Sequence, residues 1–346
     1  MFDHPSFDAH EGVHLFHDTE SGLRAIIAVH STARGPAAGG CRMWDYNTGA
    51  DMFTDALRLS QGMSYKNAIA DIPLGGGKAV IWGNSHTDKS PELFRALGRA
   101  IDSLQGKYIT AEDVGINVAD MQIVRETTTH VAGLDEGKAA SGDPSPVTAK
   151  GIYLGIREIA KRALGSDDLS GKTIAVQGVG SVGGYTCNYL AEAGANLVIT
   201  DIDQNALKEV STRTGARIVE PDEIYDVDAD IFSPNALGAI VNEDTLPRFR
   251  VKAIAGGANN QLIVPEMGEL LRRRGILYAP DYVINGGGII NIAAEISGTY
   301  SAEWVSAKLD KLMQTLGEIL DEGLSTNTPT NQVADQIARQ RIDRTV

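Results

Sequence analysis

Two lysines and one aspartate are the residues whose surroundings in this sequence point most directly to chemistry. Lys66 lies in Gln61-Gly-Met-Ser-Tyr-Lys-Asn67, and Lys78 follows three consecutive glycines in Asp71-Ile-Pro-Leu-Gly-Gly-Gly-Lys-Ala-Val-Ile81. On a helix Met63 and Lys66 stand one turn apart on a shared face, so an apolar side chain and an ammonium point the same way. That suits a ligand with a carboxylate at one end and an apolar body. A single lysine is ordinarily a solvated surface charge, and most lysines here read that way. Lys78 is the exception, because Gly77 precedes it and the apolar run Ala79 to Trp82 follows. Two cations in a partly desolvated cleft are costly unless one pairs with an anion and the other gives up its proton, and a neutral lysine is a general base. Asp113, in Tyr108-Ile-Thr-Ala-Glu-Asp-Val-Gly115, follows a predicted strand, where a carboxylate serves either to pass protons in the same cleft or to cap a loop.

A second group of residues reads as a nucleotide site. Gly178-Val-Gly-Ser-Val-Gly183 follows a predicted strand and opens an amphipathic helix, and an acid, Asp201, ends the next strand about 20 residues on. In that context Gly178 and Gly180 allow a tight turn and close approach to a pyrophosphate, and Gly183 allows helix and strand to pack. Ser181 and Val182 begin the helix whose N-terminus faces the negative charge. Asp201 would accept hydrogen bonds from an adenosine ribose and repel a 2′-phosphate, so the expected cofactor is NAD rather than NADP.

These groups need a scaffold, and the periodicities supply one. Val13 to His17 and Leu23 to His30, joined by Asp18-Thr-Glu-Ser-Gly22, predict a β-hairpin; His10, His14 and His17 then share no helical face, and no metal site is expected. A helix is predicted over about Thr54 to Asn67, then the glycine run, then a strand over Ala79 to Trp82. Ser90-Pro-Glu-Leu93 opens a helix with an N-cap Ser and Pro at its first position, and Gly106 follows its end. Gly133 to Pro146 is rich in Gly, Ser, Pro and Asp, which marks a domain boundary. Beyond it come a helix from about Pro146 to Ala163 and predicted strands at Thr173–Gln177, Asn196–Thr200, Ile231–Phe232 and Val251–Ala255, the alternation of a doubly wound parallel sheet. Ser306 to Gly323 is helical by pattern, with Leu309, Leu312, Leu316 and Leu320 on one side. The expected fold is α/β with two domains separated by a cleft: an α/β substrate domain over 1–135, joined by a C-terminal helix of about 325–346, and a Rossmann-type NAD domain over 136–324.

Composition excludes several function classes. The 346 residues are 42% hydrophobic and carry a formal net charge of -14, which argues against nucleic acid as a partner. No apolar run is long enough to span a bilayer, and the N-terminus lacks the basic and apolar regions of a secretion signal, so a cytoplasmic protein without membrane contact is expected. Cys41 and Cys187 are too few and too far apart for a disulfide framework and read as small packed hydrophobes.

The motifs together resemble the glutamate/leucine/phenylalanine/valine dehydrogenase family. The similar stretches are Gly35-Pro-Ala-Ala-Gly-Gly-Cys-Arg-Met43, Gly62-Met-Ser-Tyr-Lys66, Leu74-Gly-Gly-Gly-Lys78, Ile109-Thr-Ala-Glu-Asp-Val-Gly115, Pro144-Ser-Pro-Val-Thr148, the dinucleotide loop, Ala258-Asn-Asn-Gln-Leu262 and Tyr278-Ala-Pro-Asp-Tyr-Val-Ile-Asn285. The resemblance implies reversible, NAD-dependent oxidative deamination of an amino acid to a 2-oxo acid and ammonium by a homo-oligomer. It implies that Lys66, Asn260 and the Gly39-Gly40 backbone bind the substrate carboxylate, that Thr148 and Asn259 join the cofactor contacts, and that Lys78 is the catalytic base with Asp113 its acidic partner. In deamination the Cα hydride would pass to nicotinamide C4, Lys78 would activate water against the resulting iminium, and Asp113 would help protonate the departing ammonia. On this reading the three glycines let substrate and nicotinamide approach Lys78.

Glutamate enzymes of the family place a lysine and a serine where this chain has Ala38 and Ile292, so a pocket of Ala38, Met63, Ile289 and Ile292 would reject a distal carboxylate. Leucine and other branched-chain substrates are expected, with phenylalanine close behind, since Ala38 frees volume for a ring while Ile289 and Ile292 narrow the site. Departures from the family pattern fall at Gly183, Asn235, Gly257 and Gly286, all expected near the cofactor cleft. Two rivals are a 2-hydroxy acid dehydrogenase, for which no histidine lies in a matching motif, and a catalytically silent NAD-binding sensor, which retention of Lys78 and Asp113 disfavours.

Overall fold

In the computed structural model, which describes residues 2–134, 143–236, 238–298 and 301–343, the N-terminal hairpin forms from β1 (Gly12–Asp18) and β2 (Leu23–Ser31), paired from Gly12↔Val29 to Asp18↔Leu23. Asp18 Oδ1 accepts from the Glu20 and Ser21 amides and Gly22 takes a left-handed φ of 74°, so the turn residues close the hairpin. His14 and His17 therefore lie on a strand. Among the described residues no cluster of three His, Cys, Asp or Glu could hold a metal ion.

Contacts divide the chain into two units, one of Met1–Gly142, Asn291–Trp304 and Ala338–Val346 and one of Asp143–Ile290 and Val305–Ile337. The predicted linker Gly133 to Pro146 falls largely on residues 135–142, outside the described residues. In the first unit, β3 (Ala37–Ala38), β4 (Cys41–Trp44), β5 (Gly75–Trp82) and β6 (Tyr108–Ile109) extend the hairpin into a mixed sheet of order β1-β2-β5-β3-β6, with β4 also pairing β5. Helix α1 (Gly49–Ile69) starts earlier than the periodicity predicts, because Thr48 and Asp51 form a capping box. Helix α2 (Pro91–Asp102) has Ser90 as N-cap, as its sequence predicts, and packs with α3 (Val118–Arg125) on the face of Leu93, Leu97 and Ile101.

The glycine run is part of the strand and does not precede it. Gly75, Gly76 and Gly77 are buried in β5 and paired with β2 and β3. A Cβ on Gly76 would collide with the Ser64 backbone and hydroxyl of α1, one on Gly75 with Ser31 O, and one on Gly77 would stand 2.7 Å from the Tyr108 ring. The missing side chains thus let α1 and Tyr108 press onto the strand immediately before Lys78, and low strand propensity is overridden by close packing.

In the second unit α4 (Ser145–Ala163) leads to β7 (Thr173–Gln177), α5 (Ser181–Glu192), β8 (Asn196–Thr200), α6 (Gln204–Thr214), β9 (Arg217–Ile218), β10 (Ile231–Pro234), β11 (Ala253–Ile254), α7 (Met267–Arg273) and β12 (Leu277–Tyr278). The strands form one parallel sheet of order β12-β11-β10-β7-β8-β9, whose order reverses between β7 and β10. That is the doubly wound arrangement, with its ligand crevice expected at the carboxyl ends of the two central strands. After α8 (Asp281–Ile284) and α9 (Gly287–Ile296), helix α10 (Ala302–Thr326) buries Leu309, Leu312, Leu316 and Leu320 within its own unit. A Cβ on Gly151 or Gly155 of α4 would meet Leu309 at 3.4 Å or Leu316 at 3.3 Å. The last helix is α11 (Thr330–Asp343). No helix among the described residues is long and apolar enough to cross a membrane.

Gly76→Ala is expected to destabilise the fold by at least about 2 kcal/mol through overpacking of α1 on β5. Denaturant unfolding checks this, and an unchanged midpoint would contradict the close approach.

Candidate active site

Lys78 is buried in β5, and its ammonium donates to Asp113 Oδ2 at 2.6 Å. Arg42, on the parallel neighbour β4, donates its Nε–H to the same oxygen at 3.2 Å. Burial raises the Asp113 carboxyl, but Lys78 and Arg42 outweigh it and hold the group below the usual carboxylate range. Asp113 is therefore held in its ionised form beside Lys78. The adjacent Cys41 thiol is pushed up to about 12 by burial and remains a neutral, packed hydrophobe.

The strand-to-loop passage around Gly39 and Gly40 is shaped by the same pair. The Gly39 amide donates to Ile109 O at 3.2 Å and the Cys41 amide to Ala111 O at 2.7 Å, which pins this loop along β6 and its extension. A Cβ on Gly39 would collide with Gly77 O and stand 2.9 Å from Met63, and a Cβ on Gly40 would stand 2.9 Å from the Asp113 Cβ. Only a side-chain-free loop fits between α1 and the Lys78–Asp113 pair. The Tyr108 hydroxyl locks it by donating to Gly39 O at 2.6 Å while accepting from the Ala79 amide at 3.0 Å. Ala38 is buried in β3, and Met63 and Lys66 are half-buried on one side of α1. This unit thus gathers Lys78, Asp113, Gly39, Gly40 and Met63 within contact range and carries Ala38 and Lys66 on the flanking elements.

The second unit holds the dinucleotide loop at the switch between β7 and β10. Gly178 has φ 90°, and a Cβ there would stand 2.8 Å from the Ala236 Cβ; a Cβ on Gly183 would collide with Gly178 O, so α5 packs on the loop only because that residue is bare. Gly180 faces open space, and α5 begins there without a side-chain cap, leaving the amides of Ser181, Val182 and Gly183 for a pyrophosphate. Asp201 at the end of β8 accepts from the Val179 amide at 2.7 Å and the Asp203 amide at 3.0 Å, which ties the acid to the loop. These residues fit a dinucleotide. Thr148 lies in the first turn of α4 and donates to Pro144 O; Asn259 accepts from Asn285 Nδ2 at 2.8 Å; Asn260 is exposed with a left-handed φ of 52°. Ile289 is buried and Ile292 half-buried on α9.

Three of the departures from the family pattern are packing positions. Gly257 lies against Ile152 of α4 and donates its amide to Asn235 Oδ1 at 2.8 Å, which gives Asn235 its place, and a Cβ on Gly286 would meet Leu312 at 2.8 Å. Gly257 and Gly286 trim helix contacts, whereas Asn235 lies against the dinucleotide loop, where a Cβ on Gly183 would meet its Cβ at 3.4 Å. The sequence reading passed over a brace behind Asp113, in which Arg42 also donates to Asp55 Oδ2 at 3.2 Å and Tyr46 donates to the same oxygen at 2.6 Å. It also passed over a polar cluster holding α1 on the sheet, in which His30 Nδ1 contacts Ser64 Oγ at 2.7 Å and His10 Nε2 contacts Ser60 Oγ at 3.1 Å. The one available signal was Arg42 alternating with buried Cys41 and Met43 along a short strand.

A buried lysine–carboxylate pair and a glycine loop at the switch point of a doubly wound sheet fit the class of pyridine-nucleotide dehydrogenases. Comparison with known proteins narrows this. Residues 10–130 match the Glu/Leu/Phe/Val dehydrogenase dimerisation domain, and residues 141–206 and 197–344 match the Glutamate/Leucine/Phenylalanine/Valine dehydrogenase domain. The chain is 48% identical over 334 residues to leucine dehydrogenase of Geobacillus stearothermophilus, covering 96% of this chain and 91% of the relative. It is 43% identical to phenylalanine dehydrogenase of Bacillus thermotolerans, covering 96% and 89%. Among solved structures, L-tryptophan dehydrogenase from Nostoc punctiforme superimposes with a TM-score of 0.86 at 40% identity, covering 97% of each chain. The chain belongs to the glutamate/leucine/phenylalanine/valine dehydrogenase family. It is an NAD(P)-dependent amino acid dehydrogenase, an oxidoreductase of the reversible oxidative deamination of amino acids.

The cluster under α1 carries a pH dependence. Burial, then the neighbouring His10, push His30 down to about 4, against the weaker pull of Asp8. A depressed folded value means a contribution that is present above about pH 6.5 and lost as pH falls through the folded value. Between pH 7 and pH 4 the wild type is expected to lose roughly 3 kcal/mol more than His30→Gln. Denaturation curves at both pH values check this, and parallel losses would contradict it.

Proposed function

We propose that the enzyme deaminates apolar L-amino acids with NAD, leucine and other branched-chain substrates first, and that Lys78 and Asp113 are its working pair. The observation that carries the reading is the Lys78–Asp113 contact at 2.6 Å on a buried strand whose surroundings are too closely packed for either partner to move far. Lys66, with the Gly39-Gly40 backbone, holds the substrate carboxylate, and the same role is proposed for Asn260. Ala38, Met63, Ile289 and Ile292 receive the side chain, where a distal carboxylate would be stranded. NAD, when bound, would supply the acceptor for the hydride of the substrate Cα. Lys78, unprotonated, takes a proton from the water that attacks the iminium carbon, becomes an ammonium against Asp113, returns that proton to the departing ammonia, and takes up the hydroxyl proton as the carbonyl forms. Asp201 favours NAD by repelling a 2′-phosphate, with Ser181, Val182 and Gly183 on the pyrophosphate and Thr148 and Asn259 as further cofactor contacts.

The branched-chain preference rests on the identity to leucine dehydrogenases. A second reading, an aromatic side chain, is favoured by the small, buried Ala38 and by the likeness to tryptophan dehydrogenase. Discrimination among apolar side chains is worth ~1–3 kcal/mol, so overlapping substrates are expected. The match to a dimerisation domain over residues 10–130 supports a homo-oligomer.

NADH formation at mildly alkaline pH with leucine, valine, phenylalanine, tryptophan and glutamate tests the substrate class: leucine and valine are expected to lead and glutamate to fail. Phenylalanine or tryptophan in the lead would select the aromatic reading, and ammonium-independent reduction of the 2-oxo acid would exclude deamination. Lys66→Ser is expected to raise KM for the oxo acid at least ~10-fold, given the ~2–5 kcal/mol that loss of a charged partner typically costs; an unchanged KM would refute its role. Asp201→Ala is expected to narrow the NAD over NADP preference in kcat/KM, and an unaltered ratio would remove Asp201 from cofactor selection.

A further inference from the structure

Asp113 has two cationic partners, and they differ in one chemical respect. The Lys78 ammonium must lose its proton for the enzyme to work, which is the reading above on which this inference rests. The Arg42 guanidinium keeps its charge throughout the working range. Both donate to Asp113 Oδ2, Lys78 at 2.6 Å and Arg42 at 3.2 Å. If Lys78 were the sole partner, its deprotonation would leave a largely buried carboxylate unpaired, which costs several kcal/mol and would hold the proton on Lys78.

We propose that Arg42 is a positioning residue that keeps Asp113 paired each time Lys78 gives up its proton, and so sets the pH at which the enzyme turns on. Two features of the fold fix it in that role. Its strand, β4, runs parallel to β5 with Arg42 opposite Val80, so the backbone sets it beside Lys78. Its Nη1 is braced by Asp55 Oδ2 at 3.2 Å, and Asp55 is in turn held by the Tyr46 hydroxyl at 2.6 Å. A guanidinium can bridge two carboxylates in this way because its donors form a planar fork.

Other ionisable groups face the pair from the neighbouring elements. On β4 the Cys41 thiol is pushed up to about 12, and burial raises the Tyr46 and Tyr108 phenols above their ordinary value. Helix α1 contributes Asp55 and, three turns on, Lys66; Glu112 precedes Asp113 in the chain. With Arg42 removed, the charge left facing Lys78 is more negative and Asp113 relies on Lys78 alone, so the proton is held more tightly. The sign is therefore fixed: the rising limb of the deamination rate moves to higher pH.

The test is kcat for leucine as a function of pH in wild type, Arg42→Met, Arg42→Lys and Lys78→Ala, with NADH binding measured for each. Arg42→Met is expected to move the rising limb at least about one pH unit to the alkaline side, to recover rate toward the wild-type plateau there, and to bind NADH as wild type does. Arg42→Lys, which retains a cation, is expected to move it much less. A loss by one factor at every pH with the limb in place, or a shift to lower pH, would overturn the proposal. If Arg42→Met does not fold, Arg42→Lys decides: a limb displaced by a full unit despite the retained charge overturns it. Lys78→Ala separates this inference from the reading beneath it. An active Lys78→Ala sinks the working pair itself, whereas an inactive one beside an unmoved Arg42→Met limb sinks only the role of Arg42.

Discussion

One carboxylate oxygen, Asp113 Oδ2, receives both the Lys78 ammonium and the Arg42 guanidinium, and much of the first unit is arranged so that this meeting occurs. The three residues come from β5, β4 and the loop after β6, so no local segment can assemble them. What brings them together is a sheet in which β5 pairs with β2, β3 and β4 at once. A buried ion pair of this kind is weak evidence for stability, since desolvation offsets much of the attraction. The proposed proton chemistry gives the pair a use that a contribution to folding does not.

Close packing is the second constraint, and it explains the glycines. Gly75, Gly76 and Gly77 bring α1 and Tyr108 onto the strand, and Gly39 and Gly40 thread the neighbouring loop between Met63 and Asp113. The result is a rigid setting for Lys78 in which a displacement of an ångström would be resisted from several sides; such positioning is where much of an enzyme's rate advantage resides. In the second unit Gly178 and Gly183 solve the same problem for a dinucleotide, and bare Gly180 leaves space in front of an uncapped helix. Both sites are built by removing side chains where backbone must meet backbone or ligand.

Much of this was legible in the sequence, and the boundary of legibility has physical causes. The hairpin, α2 with its Ser90 cap, and the strands Thr173–Gln177 and Asn196–Thr200 follow from periodicity, turn residues and caps, which are local. The early start of β5 was not, because three glycines have poor strand propensity and only the partners packed on them keep them extended. Two-residue strands such as β9 and β12 fall below any periodic signal. Lys66, Lys78 and Asp113 are legible through their motifs, whereas the packing of the three glycines against α1 and Tyr108 is visible only in the fold. The link from Arg42 to Asp113 is not legible because the two lie 71 residues apart, and the brace, in which Asp55 lies 13 residues from Arg42 and 9 from Tyr46, forms between a short strand and a helix with no shared periodicity.

The central claim is that ionised Asp113 governs the proton transfers of Lys78. The most direct test is Asp113→Asn, which keeps the shape of the side chain and removes its charge, with kcat for deamination and NADH affinity measured on the folded variant. A fall in kcat of roughly 10²-fold or more with NADH affinity unchanged is the expected result, the scale of a lost acid–base partner. A rate within a few-fold of wild type would contradict the account and leave the Lys78–Asp113 contact a structural ion pair.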